Sequence, residues 1–321
     1  AEQIHVIPSA TITRQPVAIA RGVWRLGLGV IKARSLIRRI SPAVTVGFGG
    51  YPTVPPVFAA WLCGVPAVIH EQNGVLGRAN RFLGGRATAI ATGFPTVSGA
   101  GALAARMVET GNPVRPAVIA ASQKPYVTPT QGAPLRLVIF GGSQGARYFS
   151  ETVPEAVALM PAMRGRLEVV QQARPEDEEE VKARYAELGV SAEVSPFFSD
   201  LPSKVAAAHL VMSRSGASTV SEIAAIGRPA ILVPYPHALD HDQAANAAAL
   251  EAEGGALVQR QETLDAHVVA SLFEELLGDP DRLEAMANAA RKAGKPEATA
   301  LLADLVEAIA SGETAARFKA R

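Results

Sequence analysis

Residues 137–147 read LVIFGGSQGAR, an apolar run that leads directly into a glycine-rich turn. Such a run is typical of a buried strand, and the residues after the turn can begin a helix. Glycines let a backbone approach a ligand closely, and the free N–H groups at a helix start favour an anion. The stretch therefore predicts a strand, a loop and a helix that together bind an anion. A tight turn without a ligand is the alternative, because neither a dinucleotide fingerprint nor a Walker loop is matched.

The same alternation of short apolar runs and longer Ala-, Leu- and Arg-rich runs extends along the chain. It is typical of βα units, so we predict an α/β protein built on parallel sheets. The predicted strands are residues 4–7, 43–47, 67–70, 136–140, 167–171, 192–194, 210–213 and 229–233. The predicted helices are residues 17–40, 55–62, 75–83, 150–159, 176–188, 219–226 and 243–253, with further helix after residue 280.

A length of 321 residues favours two domains. Gly and Pro cluster in ETGNPVRPAV, so we predict an N-terminal domain over residues 1–113 and a C-terminal domain over 114–321. The last helix is a candidate to pack back on the N-terminal domain. We also expect a ligand cleft at the carboxyl ends of the strands, where open α/β sheets bind ligands.

Charge is distributed unevenly. Up to Pro113 there are 11 Lys and Arg against three acids, whereas the remainder has 20 against 27. The N-terminal half therefore suits a membrane surface, a phosphate or a nucleic acid, and an ordinary solvated basic helix is the alternative. Cys63 is the single cysteine, which excludes an intrachain disulfide and a cysteine metal cluster. No apolar run reaches the roughly 20 residues of a membrane span, so a cytoplasmic protein is expected.

Three further loops follow predicted strands. In LVMSRSGASTVSEIAAIG, Gly216 permits a turn before a helix that carries Thr219 and Glu222. These two residues have capping-box spacing, although Glu222 could instead accept hydrogen bonds from a ribose diol. VGFGGYPTVPP crowds glycines beside Tyr51, and IHEQNGVLGRAN places four polar residues, His70 to Asn73, after an apolar strand. The polar run predicts a site, with a hydrogen-bonded turn that ties loops together as the alternative.

Six motifs in order, GFGGY, HEQN, GNPVR, GGSQGAR, SRSGASTVSEIAAIGRPAILVP and HDQAANA, resemble those of the MurG family. Its members transfer N-acetylglucosamine from UDP-N-acetylglucosamine to undecaprenyl-diphospho-muramoylpentapeptide, converting lipid I to lipid II in peptidoglycan synthesis. The resemblance implies a GT-B fold, in which two Rossmann-like parallel-sheet domains have a cleft between them. It also implies an inverting hexosyltransferase, and no metal or other cofactor. Its partners would be these two substrates and an anionic membrane surface, with no nucleic acid. The implied location is peripheral, on the cytoplasmic face of the bacterial plasma membrane.

The resemblance assigns the donor to the C-terminal domain. Phe198 would read the uracil edge through its backbone, Glu222 would bind the ribose, and Gln243 would hold the sugar. The implied donor-binding residues are Asn73, Arg115, Gly141, Gly142, Ser143, Gln144, Gly145, Phe198, Ser215, Gly216, Ala217, Glu222 and Gln243.

The N-terminal domain would take the acceptor, with Gly49, Gly50 and Tyr51 at its pyrophosphate. Core packing is the alternative for part of the implied membrane-docking set. That set consists of Ile19, Val23, Trp24, Leu26, Val30 and Trp61.

One family feature does not occur in the sequence. The family carries a GGTGGH-type loop after its first strand, whose His is the favoured catalytic base, and the sequence starts after that region; His5 is no substitute. We therefore expect these residues to be part of a longer protein, and Glu71 is the remaining acid–base candidate. The alternatives to an active transferase are a catalytically silent UDP-N-acetylglucosamine-binding module and another enzyme of the same fold, such as the 2-epimerase.

Overall fold

The computed structural model describes residues 3–10, 16–238 and 242–320. The chain divides into two compact units. Unit 1 comprises the described residues up to Asn112 and those from Glu297 onward, and unit 2 comprises Pro113–Pro296. Each unit is built on its own sheet of parallel strands, which confirms the predicted α/β fold class.

Unit 1 contains a four-stranded sheet with the order β1-β2-β3-β4. Leu302, Leu305 and Ile309, which lie on a helix near the C-terminus, pack with Val68 and Ala89 of the sheet. The C-terminal segment is therefore part of the hydrophobic core of unit 1. The strands are β1 Thr45–Gly47, β2 Ala67–Glu71, β3 Ala89–Thr92 and β4 Met107–Glu109, and the helices are α1 Pro16–Ile40, α2 Gly50–Leu62, α3 Arg78–Gly84, α13 Ala298–Ala310 and α14 Ala315–Lys319.

Unit 2 contains a six-stranded sheet with the order β10-β9-β8-β5-β6-β7. One hydrophobic core cluster of this unit includes Leu137, Phe149, Tyr185 and Phe273, which are all buried. The strands are β5 Leu135–Phe140, β6 Leu167–Gln172, β7 Ser191–Ser195, β8 Leu210–Ser213, β9 Ala230–Leu232 and β10 Ala256–Val258. The helices are α4 Pro116–Ser122, α5 Gly142–Ala158, α6 Pro161–Arg164, α7 Glu178–Glu187, α8 Leu201–Ala207, α9 Ala217–Ile226, α10 Asp242–Ala252, α11 Ala266–Leu277 and α12 Pro280–Ala293.

Some sequence predictions fail at particular elements. The strand predicted over residues 4–7 is wrong: this segment has no regular structure, and Ile4 and Val6 are exposed. It pairs with no strand of the sheet described for unit 1, and an apolar run without a ladder partner has nothing to hold it as a strand. The strands β3, β4 and β10, which have three or four residues each, were not predicted.

Two helices begin earlier than predicted, and both do so at glycine loops. Helix α2 begins at Gly50 rather than at residue 55, and α5 begins at Gly142 rather than at residue 150. Glycine and proline have low helix propensity, which hid both starts in the sequence. The earlier starts place the helix N-termini directly at the loops that the sequence predicts to be functional.

The contribution of α13 to unit 1 can be measured. We expect Leu305→Ala to lower the free energy of unfolding of unit 1 by about 2–5 kcal/mol, because it leaves a cavity where a fully buried side chain packs on β2 and β3. Both tryptophans, Trp24 and Trp61, lie in unit 1, so urea denaturation followed by tryptophan fluorescence reports this unit. Glu307→Ala on the exposed face of α13 is the control. Equal midpoints for the two variants would contradict the packing.

Candidate functional site

The middle of the unit 2 sheet is the point at which the order of its strands reverses. Strand β5 lies between β6 and β8, so the chain leaves β5 towards one edge of the sheet and later returns to build the other. Phe140 pairs with Ser213, which means that β5 and β8 end at the same level. Parallel α/β sheets bind ligands at the carboxyl ends of the strands, at such a switch point.

A helix begins just beyond each of these two strand ends. Gly141 is the N-cap of α5 and Gly216 is the N-cap of α9; neither forms a side-chain cap, and neither helix has an acid in its first turn. The backbone N–H groups of a first turn lack intrahelical partners and carry partial positive charge. Two such termini on neighbouring strands form a suitable place for a diphosphate. The side chains of residues 142–146 lie outside the described part of the chain, so the predictions for the side chains of Ser143 and Gln144 are not addressed.

The capping-box interpretation of Thr219 and Glu222 is wrong. The N-cap of α9 is Gly216, and the carboxylate of Glu222 pairs with Arg115 instead. Arg115 Nε and Nη2 donate to Glu222 Oε1 and Oε2, each at 3.0 Å. This hydrogen bonding raises the pKa of Arg115.

The Arg115–Glu222 pair is accessible to solvent, with side-chain exposures of 57% and 22%. Exposed ion pairs contribute little to stability, about 0–1 kcal/mol. A ligand that offers an anion to Arg115 and hydroxyl groups to Glu222 could therefore replace the pair at small cost. The structure thus brings together two of the residues that the sequence predicts for donor binding, 107 positions apart in the chain.

Helix α10 is fastened to the loop that precedes α9. Ser215 Oγ donates to the carbonyl of Gln243 at 2.8 Å, and Asn246 Nδ2 donates to the carbonyl of Ser215 at 3.2 Å. The side-chain oxygen of Gln243 accepts from the Tyr235 N–H at 3.0 Å. Gln243 therefore lies beside Ser215, in the loop that connects β8 to α9. The residues immediately before α10, 239–241, are outside the described residues.

Phe198 follows β7, which is one of the two edge strands of the unit 2 sheet. Its ring is buried, with Lys204 Nζ 5.2 Å from the ring centroid, whereas the neighbouring Phe197 is exposed. The packed ring fixes the backbone of this segment, which is the part that the sequence predicts to read a base.

Arg214 is a residue of this region that the sequence reasoning missed. It is buried and follows Ser213, the last residue of β8. Its guanidinium lies 5.4 Å, 5.1 Å and 5.5 Å from the ring centroids of Tyr148, Phe149 and Tyr235. It donates to the carbonyl of Val233 at 3.1 Å, and burial lowers its pKa. A charged residue directly after a buried strand was the available signal. Arg214 therefore packs the loop between β8 and α9 against α5.

In unit 1, the carboxylate of Glu71 organises the loop that follows β2. It is buried and accepts hydrogen bonds from the N–H groups of Asn73 at 3.1 Å and Gly77 at 2.9 Å, and from Asn80 Nδ2 at 2.8 Å. The alternative interpretation, a hydrogen-bonded turn that ties loops together, thus describes these contacts. The acid–base role of Glu71 stays a prediction, and its contacts favour a positioning role.

Residues beside Glu71 connect this loop to its neighbours. His70 is buried and donates from Nε2 to the carbonyl of Gly111 at 3.0 Å, and burial lowers its pKa, which favours the neutral ring. Gln72 Nε2 donates to the carbonyl of Phe48 at 3.0 Å. The HEQN segment therefore links the glycine loop after β1 to the chain after β4.

The glycine loop after β1 has a backbone that only glycine adopts readily. Gly49 and Gly50 have φ values of 75° and 70°, and Gly49 is the N-cap of α2 without a side-chain cap. Thr53 Oγ1 donates to the carbonyl of Gly49, and Ser9 Oγ donates to the carbonyl of Tyr51 at 3.0 Å. The loop thus presents a third helix N-terminus, which is free of acids in its first turn.

The membrane-docking residues divide into two groups. Ile19, Val23, Trp24 and Trp61 are exposed, with Trp24 at 68% and Trp61 at 46%. Leu26 is partly buried, and Val30 packs against the cluster of Ala33, Ile37, Ala59 and Ala60, so Val30 joins α1 to α2. None of the helices in the described ranges has both the length and the apolar character that a membrane span requires.

Two parallel-sheet units, with uncapped helix N-termini at the switch point of the second sheet, define a Rossmann-type α/β protein. The glycosyltransferase family 28 C-terminal domain matches residues 136–302, and the N-terminal domain of the same family matches residues 3–92. The chain belongs to glycosyltransferase family 28, and within it to the MurG family, as the motifs predict.

Individual relatives support this assignment. The UDP-N-acetylglucosamine--N-acetylmuramyl-(pentapeptide) pyrophosphoryl-undecaprenol N-acetylglucosamine transferases of Sinorhizobium fredii and Rhizobium meliloti are both 59% identical to the chain, covering 99% of it and 86% of their own lengths. The crystal structure of Acinetobacter baumannii MurG matches with a TM-score of 0.75 and 31% identity, over 89% of this chain and 80% of that one. The predicted GT-B fold is thereby confirmed.

A second structural neighbour shows the fold alone. The UDP-GlcNAc 2-epimerase from Neisseria meningitidis, bound to UDP-GlcNAc, has a TM-score of 0.63 and 14% identity, over 91% of this chain and 82% of that one. The 2-epimerase alternative therefore has much weaker support than the transferase.

The role of Glu71 can be tested without an activity assay. We expect Glu71→Gln to lower the free energy of unfolding of unit 1 by about 1–3 kcal/mol, because an amide N–H2 then faces donors that a carboxylate oxygen accepted. Urea denaturation followed by tryptophan fluorescence measures the loss, with the exposed Glu307→Gln as the control. An unchanged midpoint for Glu71→Gln would leave the positioning role without support.

Proposed function

We propose that the chain transfers N-acetylglucosamine from UDP-N-acetylglucosamine to undecaprenyl-diphospho-muramoylpentapeptide. The 59% identity to two transferases with this activity in their names supports the proposal. The observation that carries it for this chain is the pair of uncapped helix N-termini on the paired strands β5 and β8, with Arg115 and Glu222 in the same unit.

The donor would bind to unit 2 through its charge and its hydroxyl groups. The N–H groups at the starts of α5 and α9 would meet the diphosphate, and Arg115 would leave Glu222 to join them. Glu222 would then accept hydrogen bonds from the ribose diol, and Gln243 would contact the sugar. Phe198 would offer its backbone to the uracil edge.

The reaction would be a direct displacement with inversion. The 4-hydroxyl oxygen of the muramoyl group forms a bond to C1 of N-acetylglucosamine while a general base takes its proton. The bond from C1 to the diphosphate oxygen breaks, and UDP leaves with the electron pair. The helix N–H groups and Arg115 stabilise the negative charge that develops on the leaving group.

Unit 1 would bind the acceptor. The start of α2, with Gly49, Gly50 and Tyr51, would receive the pyrophosphate, because a helix N-terminus carries partial positive charge and this first turn has no acid. Glu71 would hold the loop that carries Asn73, which we assign to the donor sugar. The contacts of Glu71 support positioning more than proton transfer.

We further infer that unit 1 lies on the cytoplasmic face of the bacterial plasma membrane. Trp24 and Ile31 are each 68% exposed and lie seven positions apart on α1, on one side of the helix. Arg21 and Arg25 on the same helix are exposed. An apolar helix face flanked by cations suits an anionic lipid surface that it lies on without crossing.

The donor assignment predicts a specific loss in one variant. We expect Glu222→Gln to weaken UDP-N-acetylglucosamine binding about tenfold, or about 1.4 kcal/mol, because the charge on the acceptor of the ribose hydroxyls is removed. Titration calorimetry measures the dissociation constant. Glu168→Gln, which removes an exposed ion pair with Arg136 in the same unit, should leave it unchanged.

A ligand without the diol sharpens this test. For 2′,3′-dideoxy-UDP the dissociation constant should be nearly the same for the parent chain and Glu222→Gln. If Glu222→Gln weakens the binding of UDP-N-acetylglucosamine and of 2′,3′-dideoxy-UDP equally, Glu222 does not bind the ribose hydroxyls. If it changes the binding of neither ligand, Glu222 is not part of the site.

The membrane assignment predicts an effect of a single tryptophan. We expect Trp24→Ser to reduce partitioning onto vesicles with 30 mol% phosphatidylglycerol by about tenfold, because burying a large apolar side chain contributes about 1.5–3 kcal/mol. Vesicle co-sedimentation measures it, with Phe197→Ser, which removes an exposed aromatic residue of unit 2, as the control. Equal partitioning of the two variants would contradict the assignment.

A further inference from the structure

The buried Arg228 in unit 2 has an unusual set of partners. Its side chain is 0% exposed, and its guanidinium donates to five backbone carbonyls. All five are partial rather than full negative charges, so each must be well placed for the buried cation to be tolerated. The acceptors are the carbonyls of Ala206, Ile226, Gly227, Lys124 and Pro125.

These carbonyls belong to the C-terminal ends of three helices. Ala206 is in the last turn of α8, Ile226 ends α9, and Lys124 lies two residues beyond the end of α4. The distances are 3.0 Å from Nε to Ala206, 2.8 Å from Nη1 to Ile226, and 3.2 Å from Nη2 to Lys124. Helix C-termini carry partial negative charge, so their convergence favours a cation at this point.

A second arginine reinforces the junction. Arg291 of α12 donates to the carbonyls of Ser122 and Lys124, each at 2.9 Å, and to that of Ile226 at 3.3 Å. Both arginines therefore connect the end of α4 to the end of α9. Burial, followed by repulsion from Arg291, lowers the pKa of Arg228 to about 10, which leaves it charged at neutral pH.

The same two helices carry the ion pair of the donor site. Arg115 is the N-cap of α4, whose seven residues separate it from the junction. Glu222 lies four residues, or about one turn, before Ile226 on α9. Helix α4 packs against α9 and α8. A change in the register of α4 against α9 would therefore displace Arg115 relative to Glu222.

We propose that Arg228 is a positioning residue of the donor site: by joining the C-terminal ends of α4 and α9 it sets the spacing of Arg115 and Glu222. This inference rests on the proposed assignment of these two residues to the donor. Arg228 does not touch the ligand in this account, and its effect reaches the ligand through the two helices.

The test compares UDP binding by calorimetry across four chains. We expect Arg228→Met to raise the dissociation constant of UDP about tenfold, because small misplacements of positioned groups are costly. Arg228→Lys keeps the charge but cannot reach all the carbonyls. Its dissociation constant for UDP should therefore lie between those of the parent chain and Arg228→Met. Arg184→Met, which removes an exposed ion pair with Glu187, is the matched control and should bind as the parent does.

Coupling to Glu222 separates positioning from general stabilisation. In a Glu222→Gln background, Arg228→Met should change the dissociation constant less than about twofold, since the contact it positions is already impaired. An equal tenfold loss in both backgrounds, or no loss in either, would overturn the proposal. If Arg228→Met does not fold, Arg228→Lys and Arg291→Met are compared with and without Glu222→Gln in the same way. For each of these two variants we expect the dissociation constant of UDP to rise about threefold in the parent chain.

UDP binding by the parent chain separates a failure of the donor assignment from a failure of the positioning role of Arg228. If the parent does not bind UDP, the donor assignment fails and the role of Arg228 fails with it. If the parent binds UDP and folded Arg228 variants bind equally well, only the positioning role is contradicted.

Discussion

The pairing of β5 with β8 is the constraint on which the site in unit 2 depends. These strands are distant in sequence, yet Phe140 lies opposite Ser213, so the loops after both strands leave the sheet at one level. Each loop then begins a helix without a side-chain cap or an acid in its first turn. Parallel pairing therefore converts two ordinary strand-to-helix turns into one region with two helix N-termini, whose first N–H groups have no acceptor within their own helices. A one-residue slip would separate them and turn the core side chains outward.

Cations supported by neutral groups complete this region. Arg214 is held by aromatic rings and carbonyls, and Arg228 by carbonyls and the ring of Tyr126. Arg115 is instead paired with Glu222 at the surface, where exchange with a ligand costs little. The buried cations hold the loops and helices in place, and the exposed one is the cation that we propose to meet the diphosphate. This division fits a family 28 transferase whose leaving group is an anion.

The sequence indicates the local features of the site and misses those that depend on tertiary structure. The loop around Gly142 was predicted because a strand, glycines and a helix are adjacent in the chain. The Arg115–Glu222 pair could not be predicted as a contact, since 107 positions separate its members and nothing local connects them. Thr219 and Glu222 were ambiguous because capping-box spacing is a local pattern, and the tertiary contact with Arg115 decided against it. Arg228 was missed because a lone charge in an apolar segment gives no sign of the carbonyls around it.

Hydrogen–deuterium exchange of the full chain, with and without saturating UDP-N-acetylglucosamine, tests the central claim most directly. The claim is that the donor binds at the helix starts beyond β5 and β8. We expect slower exchange in peptides that contain residues 141–147 and 214–222, because N–H groups that donate to a diphosphate are protected. Peptides from α7 and α11 should exchange at the same rate with and without the ligand. Protection confined to unit 1, or absent from both glycine loops while the ligand is bound, would contradict the account.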